Sequence, residues 1–135
     1  MKTVTVFLFA GVAVLTGCAT PFRAPPDVAQ IKLHRESSPT VLVEKIWLER
    51  ESGPLVVKGE VVKRLNAKDT TNTHLDVTLF DGAGAVLRST VEHFEPRKLE
   101  KRWRRPGYGA YDVKLDPLPA NTASIEVRAH DGNHT

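Results

Sequence analysis

The stretch HLDVTLFDGAGAVLRSTVEHF, residues 74–94, decides the fold. Leu75, Val77 and Leu79 alternate with His74, Asp76 and Thr78, a period of two that turns one side of a strand to a core and the other to water. Asp81-Gly82-Ala83-Gly84 breaks the pattern with residues suited to a tight turn, and a second apolar-rich run follows, so a hairpin is predicted. Pairing residue 79 with residue 86 would set Arg88 on the face of Val77, whereas a shift by one residue sets Leu87, Ser89 and Val91 there. The shifted register is favoured, because an unpaired guanidinium is costly to bury. It requires a three-residue loop, Gly82-Ala83-Gly84, with Gly84 at the positive φ of a bulge. It also sets Asp76 opposite Thr90 and His74 opposite Glu92 on the outer surface.

The same period extends in both directions. Thr40 to Glu49 and Leu55 to Leu65 are rich in β-branched residues, and Ser52-Gly53-Pro54 breaks them into a second hairpin with Leu55, Val57, Gly59 and Val61 on one face. Further on, Tyr111, Val113 and Leu115 alternate with Asp112, Lys114 and Asp116, and Ile125, Val127 and Ala129 alternate with Glu126, Arg128 and His130. Short alternating segments divided by turn signals predict an all-β, antiparallel β-sandwich over residues 40–135.

Two groups of these residues carry a family resemblance. Val57-x-Gly59-x-Val61, then Val77-Thr78-Leu79-Phe80-Asp81 followed by Gly84-Ala85-Val86, resembles FxLYD-type domains of bacterial envelope proteins. Leu118-Pro119-Ala120-Asn121-Thr122 ahead of Ile125-Glu126-Val127 resembles the approach to a late strand in fibronectin type III domains, although the tyrosine that often starts that strand is missing. The resemblance covers roughly residues 40–130 and implies an immunoglobulin-like sandwich. It brings no catalytic residue with it.

The N-terminus has a different character. Lys2 precedes an apolar run from Val4 to Leu15, too short for a membrane span of about 20 residues and laid out like a secretory signal. Its end, Leu15-Thr16-Gly17-Cys18, resembles the lipobox of bacterial lipoproteins, in which the leader, here residues 1–17, is cut just before the cysteine. The resemblance implies that Cys18 carries a diacylglycerol thioether and an acylated amine, and that Ala19 directs the protein to the outer membrane, facing the periplasm. Cys18 is the sole cysteine of the chain, so its alkylation leaves no thiol for disulfide or nucleophile chemistry.

Removing residues 1–17 of 135 leaves 118, enough for one domain, and lowers the formal charge of +3 by the single Lys2. Residues 18–39 hold Pro21, Pro25, Pro26 and Pro39 among polar residues and read as a semi-rigid tether. About 20 residues at roughly 3.1 Å each would reach some 60 Å. Within that segment, Val28 to Leu33 could pair with the edge of the domain.

The most unusual composition lies in PRKLEKRWRRPGYGAY, residues 96–111. Arg97, Lys98, Lys101, Arg102, Arg104 and Arg105 surround Trp103, with Glu100 as the only acid. Guanidinium forks suit phosphate and carboxylate, and the indole adds a flat apolar face. These residues form a candidate surface for an anionic envelope component or an acidic envelope protein. The competing reading is a solvated connection in which Trp103 covers the sandwich edge. Nucleic acid would need the same charges but is excluded as a partner by the predicted compartment.

Five histidines raise a second reading from another class, a periplasmic copper- or zinc-binding protein using His130 and His134. No regular ligand motif supports it, and no cofactor is expected. Catalysis is not expected either, since the chain has no GxSxG elbow, P-loop or GxGxxG. His74 and Asp76 lie outward on one strand and Ser89 is predicted inward, which disfavours a Ser-His-Asp arrangement.

Overall fold

Alternating apolar and polar residues become seven strands in a computed structural model that describes residues 24–50 and 52–132. They are β1 (Lys32–Glu36), β2 (Val41–Arg50), β3 (Leu55–Lys63), β4 (Thr73–Phe80), β5 (Val86–Glu92), β6 (Tyr108–Lys114) and β7 (Ser124–Asp131). Four form one sheet in the order β1-β7-β4-β5, and three form another in the order β2-β3-β6. Every neighbouring pair is antiparallel except β1 with β7, which is parallel. The chain is an all-β sandwich.

Its core is where the alternation put it. Val41, Val43, Leu48, Leu55, Val57 and Val61 of the three-stranded sheet share one buried cluster with Leu75, Val77, Leu79, Ile125 and Val127 of the other. Tyr111, Val113 and Leu115 join it, as do Phe94 and Leu99 from the connection between β5 and β6. Removing this apolar surface from water supplies the main stabilising term, since the domain has no cysteine for a disulfide.

The β4–β5 hairpin departs from its expected register. The loop is as expected: Asp81 N donates to Ala85 O at 3.0 Å, and Gly84 sits at φ 84°. Asp81 Oδ1 also accepts from the amides of Ala83 and Ala85, both at 2.9 Å. Phe80 then pairs with Val86, but the ladder slips by one residue at a bulge, so that Leu79 faces Arg88 and Val77 faces Thr90. Asp76 accordingly meets Val91 rather than Thr90, and Leu75 rather than His74 meets Glu92. Arg88 therefore lies on the core side, and Leu87, Ser89 and Val91 face out. Sterics and solvation both permit this, because β5 is an edge strand. The Arg88 stem covers the margin of the core while its Nη1 donates to Pro117 O at 3.0 Å.

The proline-rich segment is also more than a tether. Pro26–Val28 forms a 3-10 turn, Val28 and Ile31 are buried in the core, and β1 runs parallel to β7 from Lys32 opposite Ser124 to Glu36 opposite Arg128. The folded unit thus includes residues assigned by composition to the linker. Cys18 and the rest of the segment before Ala24 lie outside the described residues.

Candidate functional site

The basic segment lies between β5 and β6, and its base is fixed before its tip is built. Phe94 is buried, and Glu95 exchanges two backbone hydrogen bonds with Ala110 at 2.8 and 2.9 Å. Thr70, fully buried in the β3–β4 connection, donates its hydroxyl to Arg97 O at 2.8 Å and accepts the Leu99 amide at 2.8 Å. Leu99 then packs so closely on the returning chain that a Cβ at Gly109 would stand 2.7 Å from its Cδ2, and one at Gly107 would stand 2.9 Å from its carbonyl carbon. At Gly107, where the neighbouring atoms are backbone, only glycine allows that approach. Lys63 N donates to Gly107 O at 2.9 Å, which ties the segment to the end of β3.

Beyond this base the chain turns sharply. Arg105 N donates to Arg102 O at 2.8 Å, and Trp103 and Arg104 occupy the corner, with Arg104 at φ 58°. The Arg104 guanidinium lies 4.6 Å from the centroid of the Trp103 ring, a cation–π stack that leaves the indole 85 % exposed.

Between this corner and the β3–β4 connection lies an open groove of about 400 Å³. Lys63, Arg64, Leu65 and Ala67 line it from the end of β3 and the connection after it, and Lys101, Arg104, Arg105, Pro106 and Gly107 from the β5–β6 connection, with no carboxylate among them. Two of the cations are held from behind, since Lys63 Nζ donates to Lys68 O at 3.1 Å and Arg64 Nε donates to Ser38 O at 2.7 Å. Five positive groups facing one cleft give a field that favours anions, and the guanidinium forks can engage phosphate or carboxylate oxygens.

The seven residues expected to form this surface therefore separate. Lys101, Arg104 and Arg105 line the groove, and Trp103, stacked on Arg104, is outside the lining. Arg97 instead donates to Thr71 O at 3.1 Å, a local bond that holds the base. Lys98 lies 3.4 Å from Glu100, and Arg102 lines a neighbouring depression with them. Lys63 and Arg64 were not expected. They close β3 more than thirty residues upstream, and only the return of the chain through Gly107 brings them to the site.

Of the expected tail pair, only His130 is among the described residues. His130 lies beside His74 on the adjacent strand, with ring centroids 5.0 Å apart, and His74 Nε2 is 3.4 Å from Asp76 Oδ1. His74 is buried although it points away from the sheet interface. His134 lies outside the described residues, and among the described residues no group of three or more His, Cys, Asp or Glu side chains is placed to hold a metal. Ser89, expected inward, faces outward and shares a hydrogen bond of 3.2 Å with Thr78. Its position opposite Thr78 puts it four residues along the sheet from His74, roughly 13 Å, which keeps it out of reach of the His74–Asp76 pair.

Among the described residues no helix is long and apolar enough to cross a membrane. Compared with known protein families, curated proteins and solved structures, the chain gives no match.

Proposed function

We propose that this protein is a bacterial lipoprotein, anchored through acylated Cys18 on the periplasmic side of the outer membrane, whose β-sandwich is a non-catalytic binding module for an anionic component of the cell envelope. The groove lined by Lys63, Arg64, Lys101, Arg104 and Arg105 carries this reading, because five cations converge there without a carboxylate. The strand order supports an immunoglobulin-like lineage for the module. β2-β3-β6 and β5-β4-β7 follow the A-B-E and C′-C-F orders of that fold, with β1 in the place of its last strand. Parallel β1 differs from the antiparallel strand usual there, so the final position is filled from the N-terminal side of the chain.

The anchor is tested by detergent partition of wild type against Cys18→Ala, where equal partition overturns it. Binding is tested in the unanchored Cys18→Ala background, where no acyl chain holds the protein on the membrane, with a Lys101→Ser, Arg104→Ser, Arg105→Ser variant. Its retention on washed envelopes should fall and lose its dependence on ionic strength, since exposed charges act over only about 8 Å at physiological salt. Unchanged retention overturns the binding assignment.

A further inference from the structure

Two exposed side chains at this site would gain nothing from a dissolved anion. Leu65, which lines the groove from the β3–β4 connection, is 90 % exposed, and Trp103, stacked on the groove residue Arg104, is 85 % exposed. Leu65 lies in a turn where the Arg64 amide donates to Thr40 O and the Ala67 amide to Arg64 O, and Trp103 lies in the turn closed by the Arg105 amide on Arg102 O. They are therefore presented rather than left at the end of a loose loop. Cations gathered around an exposed aliphatic and an exposed indole match the bilayer interface, where headgroup phosphates lie just outside the acyl region and tryptophan is favoured.

We propose that the groove docks on the phosphate headgroups of an anionic lipid bilayer, with Leu65 and Trp103 entering the interfacial layer. This rests on the binding function assigned above and names its ligand. Arg104 and Arg105 supply forked donors to phosphate oxygens, and Lys63 and Lys101 supply point charges on longer stems. The indole face also stays stacked on Arg104, so the cation is carried to the headgroup level with the ring.

The rest of the fold sets the orientation. The chain enters the sandwich at the far end, where Pro25 and Pro26 lie against Leu48 and Arg50 and Asp27 pairs with Arg50. β2 runs from there to Val41, opposite Lys63, so entry point and groove are separated by roughly 30 Å of strand. The six residues from Cys18 to Arg23 can span no more than about 20 Å. An acyl anchor at one end and a cationic apolar tip at the other would lay the strands along the membrane surface.

The test uses the full chain with Trp47→Phe, which leaves Trp103 as the sole tryptophan. The protein is reconstituted in vesicles of phosphatidylcholine or of phosphatidylcholine and phosphatidylglycerol in equal parts, and Trp103 emission is recorded. The anionic vesicles should shift the emission to the blue and make it quenchable by brominated acyl chains, whereas the neutral vesicles should not. Leu65→Ser and the Lys101, Arg104, Arg105 triple variant should each lose the shift. Identical emission in the two vesicles, or a shift unaffected by Leu65→Ser, overturns the proposal. Loss of envelope retention in the triple variant with no vesicle response, or with binding to purified peptidoglycan instead, would refute lipid docking while leaving the binding module standing. Unchanged envelope retention refutes both.

Discussion

The Tyr111 hydroxyl donates to the Lys45 carbonyl at 2.8 Å, reaching from β6 to β2 across the one position of β3 that has no side chain. Gly59 lies opposite Tyr111 and beside Ile46, and a Cβ built on it would stand 2.1 Å from both the Tyr111 hydroxyl and Lys45 O. The accepting carbonyl is at the bulge between Val43 and Lys45, so one hydrogen bond fixes an irregular part of the sheet. Gly59→Ala should cost about 3 kcal/mol by overpacking, and Tyr111→Phe about 1 to 2 kcal/mol by leaving the carbonyl unpaired. Denaturant unfolding should show the Gly59→Ala and Tyr111→Leu losses to be less than additive, because removal of the ring relieves the Tyr111 part of the clash and leaves only the approach to Lys45 O.

Burial raises the Tyr111 ionisation well above the ordinary tyrosine range, with the nearby Arg35 charge acting weakly against it. A folded state that holds this proton longer than the unfolded chain is stabilised fully below about pH 10 and loses that advantage as the pH rises further. Alkaline unfolding of the wild type should therefore steepen above about pH 10, by up to about 1.4 kcal/mol per pH unit from this group. Tyr111→Phe should remove that component, and an unchanged alkaline limb would contradict the assignment.

Asp131 has the opposite sign. Burial pushes its carboxyl upward, but hydrogen bonds from Thr40, Thr73 and Ser38 outweigh burial and hold it below the usual aspartate value. The Thr40 and Thr73 hydroxyls donate at 2.7 and 2.8 Å, joining the ends of β7, β4 and β2 through one carboxylate. Its contribution is present above about pH 4 and is lost as the pH falls through the lowered folded value. Asp131→Asn should lower the melting temperature at neutral pH and flatten the acid limb of a melting-temperature profile.

Arg88 shows how much of the fold was legible in the sequence and where legibility ended. Strand identity, hairpins, the Gly84 loop and the core faces of β3, β4, β6 and β7 followed from alternation and turn chemistry. The register of β5 did not, because an unpaired guanidinium is costly only in a sealed core, whereas a bulge and an edge position give the Arg88 stem cover and its Nη1 a carbonyl. β1 was legible only in part: edge pairing was read for Val28 to Leu33, but a parallel edge strand that is mostly exposed carries no alternation to set its bounds at Lys32–Glu36 or its partner. Arg88 Nε remains buried without a hydrogen-bond partner. Arg88→Met, which keeps the stem and removes that group, should be neutral or slightly stabilising, and Arg88→Ala should destabilise through lost packing. Thermal unfolding of the pair checks the order.

Thr70 offers the sharpest division between holding the site and forming it. The basic composition of residues 97–105 was visible in the chain, but the buried hydroxyl that places them lies in another connection and has no charge or periodicity to mark it. It donates to Arg97 O and accepts from Leu99 N, so one side chain satisfies two backbone groups at the base of the groove. Thr70→Val keeps the shape and leaves both groups unpaired, which should cost about 1 to 3 kcal/mol and free the segment beyond Leu99. Amide exchange at Leu99 should accelerate more than at Val77 or Val127 in the core strands, and envelope retention should weaken although every cation is still present. Thr70→Ser, which restores the hydroxyl, should recover both properties. Recovery of stability without recovery of retention would show that the basic tip does not depend on this pin.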